Sequence, residues 1–297
     1  MGSHFLSIIY SLGAALSFGA ALSFGAGNFA GGIATKKSPI LLVIIFSQIT
    51  GGLILFGLVL ITDQALPGLY DIFLGCLSGL FGNFGLACLY KGLSKVKMGV
   101  VAPVSAVVSV VFPVIAGIYL QGLPANTQIT GFALAIIAIW LLSGGGAKNT
   151  IALHELKLPF AAGLGFGMYF IIISQVSTNS ILWSLVVARI ALIMIIAPIV
   201  LIKEAKKRYS NIILLKDNFL TIMFAGGCDA VGSMFFVMAS KIGRLDISVI
   251  VTSLYPAVTV LLAWFILKEK LTKAQWTGFW IVFFALMLIT ATGSPQF

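Results

Sequence analysis

Two copies of one short pattern decide the fold: Gln128-Ile129-Thr130-Gly131-Phe132 recurs 147 positions later as Gln275-Trp276-Thr277-Gly278-Phe279. Around these copies, residues 85–141 align with residues 232–288 without a gap. A shared pattern inside a long ungapped alignment indicates an internal duplication. If each copy contains five membrane spans, the odd number turns the second copy upside down relative to the first. Inverted repeats of this kind are typical of secondary transporters, which open one midplane site alternately to either side.

The composition independently indicates a membrane protein. Of the 297 residues, 60% are hydrophobic and only 9% are charged, whereas soluble domains carry about 25% charged residues. A helix needs about 20 mainly apolar residues to cross the hydrocarbon core. We place ten spans at about 5–33, 38–62, 69–91, 98–120, 127–146, 158–177, 179–202, 219–240, 246–267 and 274–293. The sequence thus predicts an all-α integral membrane protein in which ten transmembrane helices form two inverted repeats, 1–147 and 148–297.

The distribution of basic residues along the chain predicts which loops lie on which side of the membrane. The formal net charge is +10, and nearly all Lys and Arg residues fall in alternate loops. The opposite loops carry only Lys241 and Arg244. By the positive-inside rule, both termini face outward and the polar stretch 203–218 is the most basic cytoplasmic loop. We therefore expect a multi-pass protein embedded in the lipid bilayer of a prokaryotic inner membrane, whose basic loops set the topology or contact anionic lipid headgroups and bind no nucleic acid.

Two ionisable residues lie deep inside predicted spans. Arg189 is about eleven residues into span seven, and Asp229 is about eleven residues into span eight. Antiparallel neighbours would bring both side chains near the bilayer centre, where an uncompensated charge costs about 2.5 to 3.5 kcal/mol. Two hypotheses remain open. The residues form a structural ion pair, or Arg189 holds a carboxylate or phosphate of a substrate while Asp229 binds an amine or carries a coupling proton.

Neutral polar residues and prolines share this predicted depth. Polar side chains inside spans either line a cavity or form hydrogen bonds between helices. Pro256, like Pro103 and Pro113, lies in the fourth span of its repeat, where a proline breaks helical hydrogen bonding. Either these spans are discontinuous and line a transport site, as in matching positions of other two-repeat transporters, or the prolines only produce kinks that serve packing. The candidate substrate-binding residues, besides Arg189 and Asp229, are Asn28, Gln48, Asn83, Tyr169, Gln175 and Tyr255.

Sequence signals for catalysis, metals and nucleotides are missing. His4 and His154 are the only histidines, and both fall outside the predicted spans. The sequence contains no His-Glu-x-x-His motif, no Gly-x-Ser-x-Gly motif and no Gly-Lys-Ser/Thr phosphate loop. We therefore predict no enzyme activity, no metal and no cofactor. Pairs such as Gly75-x-x-x-Gly79 serve packing within one chain or a homodimer equally well, so the oligomeric state stays open.

The second half resembles a known family. Tyr255-Pro256-Ala257-Val258, then Lys268-Glu269-Lys270-Leu271, then Gln275-Trp276-Thr277-Gly278 are similar to the second repeat of EamA-type members of the drug/metabolite transporter superfamily. The first repeat departs from the pattern, because Ser109 aligns with Pro256 and Gly122 with Glu269. The resemblance implies a central cavity between the halves and termini in the cytoplasm, opposite to the charge count. Glu269 itself lies among lysines, and we expect it to form a structural ion pair.

These features together predict a secondary transporter of a small polar or amphipathic metabolite. Amino acids or related compounds are the expected substrates, and export is the expected direction. The cavity would lie between spans 1 to 4 and 6 to 9, with spans 5 and 10 as supports. Two alternatives remain: an uptake transporter for sugar-type or nucleotide-type metabolites, and a membrane channel or scaffold that transports nothing.

Overall fold

The described part of the chain is built from helices alone. The computed structural model describes residues 2–62, 64–95, 98–142, 156–204, 208–268 and 270–290. Its regular elements are eleven α-helices and one short 3-10 turn, Thr178–Ser180. The helices are α1 Gly2–Lys37, α2 Ile40–Ile61, α3 Leu69–Lys95, α4 Met98–Gln121, α5 Asn126–Leu142, α6 Lys157–Ile173, α7 Ile181–Glu204, α8 Arg208–Ile242, α9 Leu245–Thr252, α10 Tyr255–Leu267 and α11 Lys273–Thr290.

Among the described residues, seven helical segments are long and apolar enough to cross a membrane. They are Ser11–Lys37, Ile40–Ile61, Leu69–Ser94, Val104–Gln121, Thr178–Ile199, Asp217–Ile242 and Leu245–Leu267. The other three predicted spans, five, six and ten, correspond to the shorter apolar segments Asn126–Leu141, Lys157–Ile173 and Lys273–Ile289. At 1.5 Å per residue, a helix of 17 residues spans about 25 Å, slightly less than the hydrocarbon core.

The predicted loop 203–218 is mostly helical. α7 continues to Glu204 and α8 begins at Arg208, so the described residues of this stretch extend these two helices. Lysine and arginine have helix propensities close to that of leucine. A prediction from hydropathy alone misses a helix that contains them, because hydropathy detects only apolar segments. The predicted boundary between the repeats at 147, His154 and the predicted ion pair of Glu269 lie outside the described residues.

The duplicated pattern builds the same local structure twice. In α5, the side-chain oxygen of Gln128 accepts a hydrogen bond from the backbone N–H of Ala125 at 3.1 Å. In α11, Gln275 accepts one from Thr272 at 2.9 Å. Each glutamine thereby satisfies a backbone donor that the first turn of a helix leaves without a partner. α5 and α11 also pack against each other.

Helices of one half pack mainly on helices of the other half. α1 lies against α8, α9 and α10, whereas α6 lies against α3 and α4. Glycines allow these close approaches. A Cβ atom on Gly25 of α1 would overlap Val258 and the Tyr255 carbonyl, and one on Gly163 of α6 would overlap Val108. The Gly-x-x-x-Gly pairs therefore serve packing within the chain in this structure.

The predicted break of the fourth span occurs in only one half. The ninth span is interrupted by a turn at Ser253 and Leu254, and α10 begins with Tyr255 and Pro256. The fourth span, in contrast, continues as a single helix through Pro103 and Pro113, so the prediction of a break there was wrong. A proline removes one backbone donor without ending a helix that neighbouring helices hold in place.

Four interhelical loops meet at one end of the bundle, which we call the Arg244 end. Arg244 donates to the carbonyls of Gln121 at 3.1 Å and Gly122 at 2.6 Å, and it forms an ion pair with Asp246 at 2.9 Å. These contacts connect the end of α4 to the start of α9. The opposite end, which we call the basic end, holds the α1–α2 turn, where Ser38 accepts a hydrogen bond from Asn218 of α8.

Asp71 forms a second junction at the Arg244 end. It accepts hydrogen bonds from the backbone N–H of Ser177 at 2.9 Å and from the hydroxyl of Ser180 at 2.6 Å. The start of α3 is thereby tied to the α6–α7 connection. The Arg244 end is thus held by charged and polar contacts between the two halves.

Candidate functional site

A cavity lies in the middle of the bundle, between residues of both halves. Its volume is about 50 Å³, measured as the space open to the centres of water molecules, so in this conformation it has room for a few waters. Six helices and the start of α10 contribute to its wall. The lining residues are Phe24, Asn28, Gln48, Gly79, Gly82, Asn83, Leu86, Phe166, Tyr169, Phe170, Leu185, Ala188, Arg189, Asp229, Ser233 and Tyr255.

Arg189 and Asp229 form an ion pair in this cavity. Arg189 Nη1 donates to Asp229 Oδ2 and to the side-chain oxygen of Gln48, and Nη2 donates to the hydroxyl of Ser233 at 3.1 Å. The side chain of Arg189 is 8% exposed and that of Asp229 is 22% exposed. The pairing expected from their equal depth in neighbouring spans is therefore present. Gln48, from α2, links the pair to the first half of the chain.

Two buried donors in the cavity have no hydrogen-bond partner. They are Arg189 Nε and the hydroxyl of Tyr169. Ser233 lies close to Tyr169, and its hydroxyl donates to the backbone carbonyl of Asp229 at 2.8 Å while accepting from Arg189 at 3.1 Å. Buried polar groups are nearly always hydrogen-bonded in native proteins. Two unpartnered donors beside one cavity therefore indicate a place where an acceptor from outside the chain can bind.

Aromatic side chains form much of the remaining wall. Phe170 contacts Phe24 with ring centroids 6.4 Å apart and Phe236 with centroids 4.5 Å apart. Tyr255 shares a hydrogen bond with Ser105 of α4 at 2.7 Å. Its hydroxyl is therefore satisfied within the protein, unlike that of Tyr169. The cavity thus combines apolar faces with a few polar groups, the usual composition of a site for a small organic molecule.

The cavity contains every predicted site residue except Gln175. Asn28, Gln48, Asn83, Tyr169 and Tyr255 line it together with the ion pair. Gln175 lies instead on the surface, in the turn after α6, and donates to Ser174 at 3.2 Å. The predicted sixth span ran to residue 177, whereas α6 ends at Ile173. Gln175 was thus placed too deep because the helix end was placed too late.

Sequence reasoning missed Ser233 and the phenylalanines of the wall. Ser233 follows Asp229 by four residues, and residues four apart share one face of a helix. That spacing was a usable signal. Phe166 and Phe170 are also four apart, on the face that carries Tyr169. Many phenylalanines in the sequence have equal spacing, so only the packing of α6 against α3 and α4 selects these two.

The residues of the cavity can bind and orient a polar molecule. Within the described ranges, no cluster of three His, Cys, Asp or Glu side chains is placed to hold a metal. The model of the EamA-like transporter family matches the sequence twice, over residues 11–144 and 156–291. Each match covers one set of cavity-lining residues. The chain belongs to the EamA-like transporter family.

EamA proteins are membrane transporters of small molecules, not enzymes, and this chain is accordingly an integral multi-pass membrane protein with two EamA repeats. Its fold is similar to that of a solved protein described only as "Crystal structure of protein". The TM-score is 0.67 at 15% sequence identity, and the alignment covers 95% of this chain and 97% of that one. That likeness concerns the fold alone. No curated protein matches the sequence significantly.

Proposed function

We propose that this EamA protein is a secondary active transporter that exports amino acids or related small polar metabolites. The observation that carries the proposal is a central cavity, lined from both halves of the chain, in which a buried arginine and a carboxylate meet aromatic walls. An intramembrane ionisable pair marks a substrate or ion pathway by default. In this mechanism Arg189 orients the acidic group of the ligand, and Asp229 accepts either its amine or a coupling proton.

The packing supports alternating access between two inverted repeats of five helices, 1–147 and 148–297. α1 packs on α8 as α6 packs on α3, and α2 packs on α8 as α7 packs on α3. Gly25 meets Tyr255 and Val258 in the same geometry in which Gly163 meets Ser105 and Val108. This reciprocity is what a pseudo-twofold axis in the membrane plane produces. Rocking of the halves about that axis would open the cavity to either side.

The same comparison adjusts the alignment of the repeats. The glycine contacts pair Ser105 with Tyr255, a separation of 150 positions, whereas the glutamines Gln128 and Gln275 are 147 apart. A three-residue shift between the fourth and fifth spans would explain why Ser109 aligned with Pro256 in the ungapped alignment. In this proposal Ser105 and Tyr255 are equivalent residues that meet near the pseudo-twofold axis.

The setting of the transporter is part of the proposal. The basic end would face the cytoplasm of a prokaryotic cell and the Arg244 end would face outward, because positively charged loops are retained inside. The partners would be a small-molecule substrate, the lipid bilayer and, where Asp229 carries it, a proton. A homodimer would have to use the lipid-facing surface, because the glycine pairs are occupied within the chain.

Counterflow in proteoliposomes tests the proposal. Vesicles would be loaded with amino acids, nucleosides or sugars, and the native chain would be compared with Asp229→Asn. We expect exchange of amino acids by the native chain, and loss of exchange or of its pH dependence in the variant, because an amide neither binds a proton near neutral pH nor forms an ion pair with an ammonium group.

Exchange of sugars or nucleosides, and not of amino acids, would show that the proposed substrate class is wrong. Absence of exchange for every class, from protein that remains folded, would favour a channel or scaffold. An Asp229→Asn variant that exchanges amino acids like the native chain, at every pH, would assign Asp229 a structural role.

A further inference from the structure

We propose that Arg189 Nε and the hydroxyl of Tyr169 form a subsite for the carboxylate of a zwitterionic ligand. The proposal rests on the proposed function and specifies how the ligand is held. Both atoms are buried donors without a partner, and both residues line the cavity. We call this pair of donors the acid subsite.

Three of the four Nη hydrogens of Arg189 are already engaged. Nη1 donates to Asp229 and Gln48, and Nη2 donates to Ser233. Nε and the remaining Nη2 hydrogen are therefore the donors that a ligand would engage without displacing Asp229. Tyr169 adds a hydroxyl beside Ser233, next to the same guanidinium. A carboxylate carries two acceptor oxygens, so it can satisfy both donors at once.

Charge balance narrows the ligand class. Asp229 neutralises Arg189, and these are the only charged residues among those that line the cavity. A carboxylate at the acid subsite would leave the cavity with one excess negative charge. Because an uncompensated charge is costly inside a membrane, the ligand must bring a cation of its own or enter with a proton. An amino acid satisfies this condition alone, whereas a simple acid requires protonation of Asp229.

The cavity also offers acceptors for an ammonium group. Asn83 donates its Nδ2 to the carbonyl of Gly79 at 2.7 Å, which leaves its side-chain oxygen to accept a hydrogen bond from a ligand. Asn28 supplies a second amide, and the rings of Phe24 and Phe166 present aromatic faces that attract cations. A phosphate ligand would bring a greater excess of negative charge, so the carboxylate is the better fit.

Binding measurements on solubilised protein test the acid subsite. L-Leucine, L-threonine and L-phenylalanine would each be compared with the matching amino alcohol, which keeps the amine and lacks the carboxylate. Tyr169→Phe is expected to weaken binding of the amino acids about tenfold, the loss of one hydrogen bond to a charged acceptor, and to leave the amino alcohols unchanged. Tyr119→Phe removes a tyrosine hydroxyl from an exposed side chain of α4. It is expected to change the binding of neither the amino acids nor the amino alcohols.

The outcomes separate this proposal from the function on which it rests. If Tyr169→Phe weakened the binding of amino acids and amino alcohols equally, or of neither, the acid subsite would be overturned. The binding of amino acids itself would still stand. Tighter binding of the deaminated acid 4-methylpentanoate than of L-leucine at neutral pH would overturn the zwitterion requirement. No binding of any compound by folded protein would overturn the proposed function and the subsite together.

Discussion

Arg189 and Asp229 raise the question of what a buried ion pair contributes besides ligand binding. Removing one partner of such a pair leaves the other charge buried and unpaired, which typically costs about 3 to 5 kcal/mol. Replacing both removes the charge together with the need to balance it. Single and double variants therefore separate the structural role of the pair from its functional role.

We predict that Arg189→Gln lowers the free energy of unfolding by about 3 kcal/mol and that Arg189→Gln combined with Asp229→Asn recovers most of the loss. Thermal unfolding in detergent measures both effects. Transport should be absent from the double variant even though it folds. A double variant with native transport would show that the pair serves only stability.

At the scale of helices, close approach depends on single glycines. Gly226 of α8 lies so near Ser47 of α2 that a Cβ atom would overlap its backbone carbonyl, and Gly79 of α3 meets Ala188 of α7 in the same way. Backbone atoms cannot rotate aside as the end of a flexible side chain can. The spacing of α2 from α8, and thus the reach of Gln48 to the ion pair, depends on Gly226, and the spacing of α3 from α7 depends on Gly79.

We predict that Gly226→Ala destabilises the protein by about 2 kcal/mol, the usual cost of overpacking a tight contact. Gly57→Ala is the matched control, because nothing lies within 4 Å of a Cβ built there. That change should be neutral or stabilising, since alanine is the better helix former. Equal effects of the two substitutions on the unfolding transition would contradict the packing argument.

The accuracy of the predictions from sequence also differs from one element to another. The depth of Arg189 and Asp229 could be predicted because hydropathy locates the middle of a span more reliably than its ends. The ends could not, which is why Gln175 was misplaced and the helical start of α8 was missed. The break before Pro256 and the continuity of α4 have the same sequence signal, a proline in a span. Tertiary packing decides between them, and the sequence alone does not contain it.

At the scale of the whole molecule, the two ends of the bundle are held differently. The Arg244 end has a charged junction between halves, in which Arg244 bonds the carbonyls of Gln121 and Gly122 and pairs with Asp246. Opening of the cavity toward this end would have to break that junction. A contact present in only one conformation shifts the balance between conformations by its own free energy.

We predict that Arg244→Ala increases access to the cavity from the Arg244 end about tenfold, as expected for the loss of about 1.4 kcal/mol from the closed conformation. The reporter is Asn28→Cys in a chain whose Cys76, Cys88 and Cys228 are replaced by alanine. Its labelling by an impermeant thiol reagent is measured in oriented vesicles. Lys36→Ala, at the basic end, is the control, and equal labelling of the two variants would argue against the junction as a gate.

The first helix of each half packs against the other half, and this arrangement has a consequence for biosynthesis. Gly27 of α1 packs against Cys228 of α8, which the ribosome adds 201 residues later. At about 5 to 20 residues per second, α1 remains in the membrane for roughly 10 to 40 s before its main partner exists. Neither half can therefore complete its packing while the other is being translated. Separate expression of the halves should yield fragments that become protease-resistant only when both are present in one membrane.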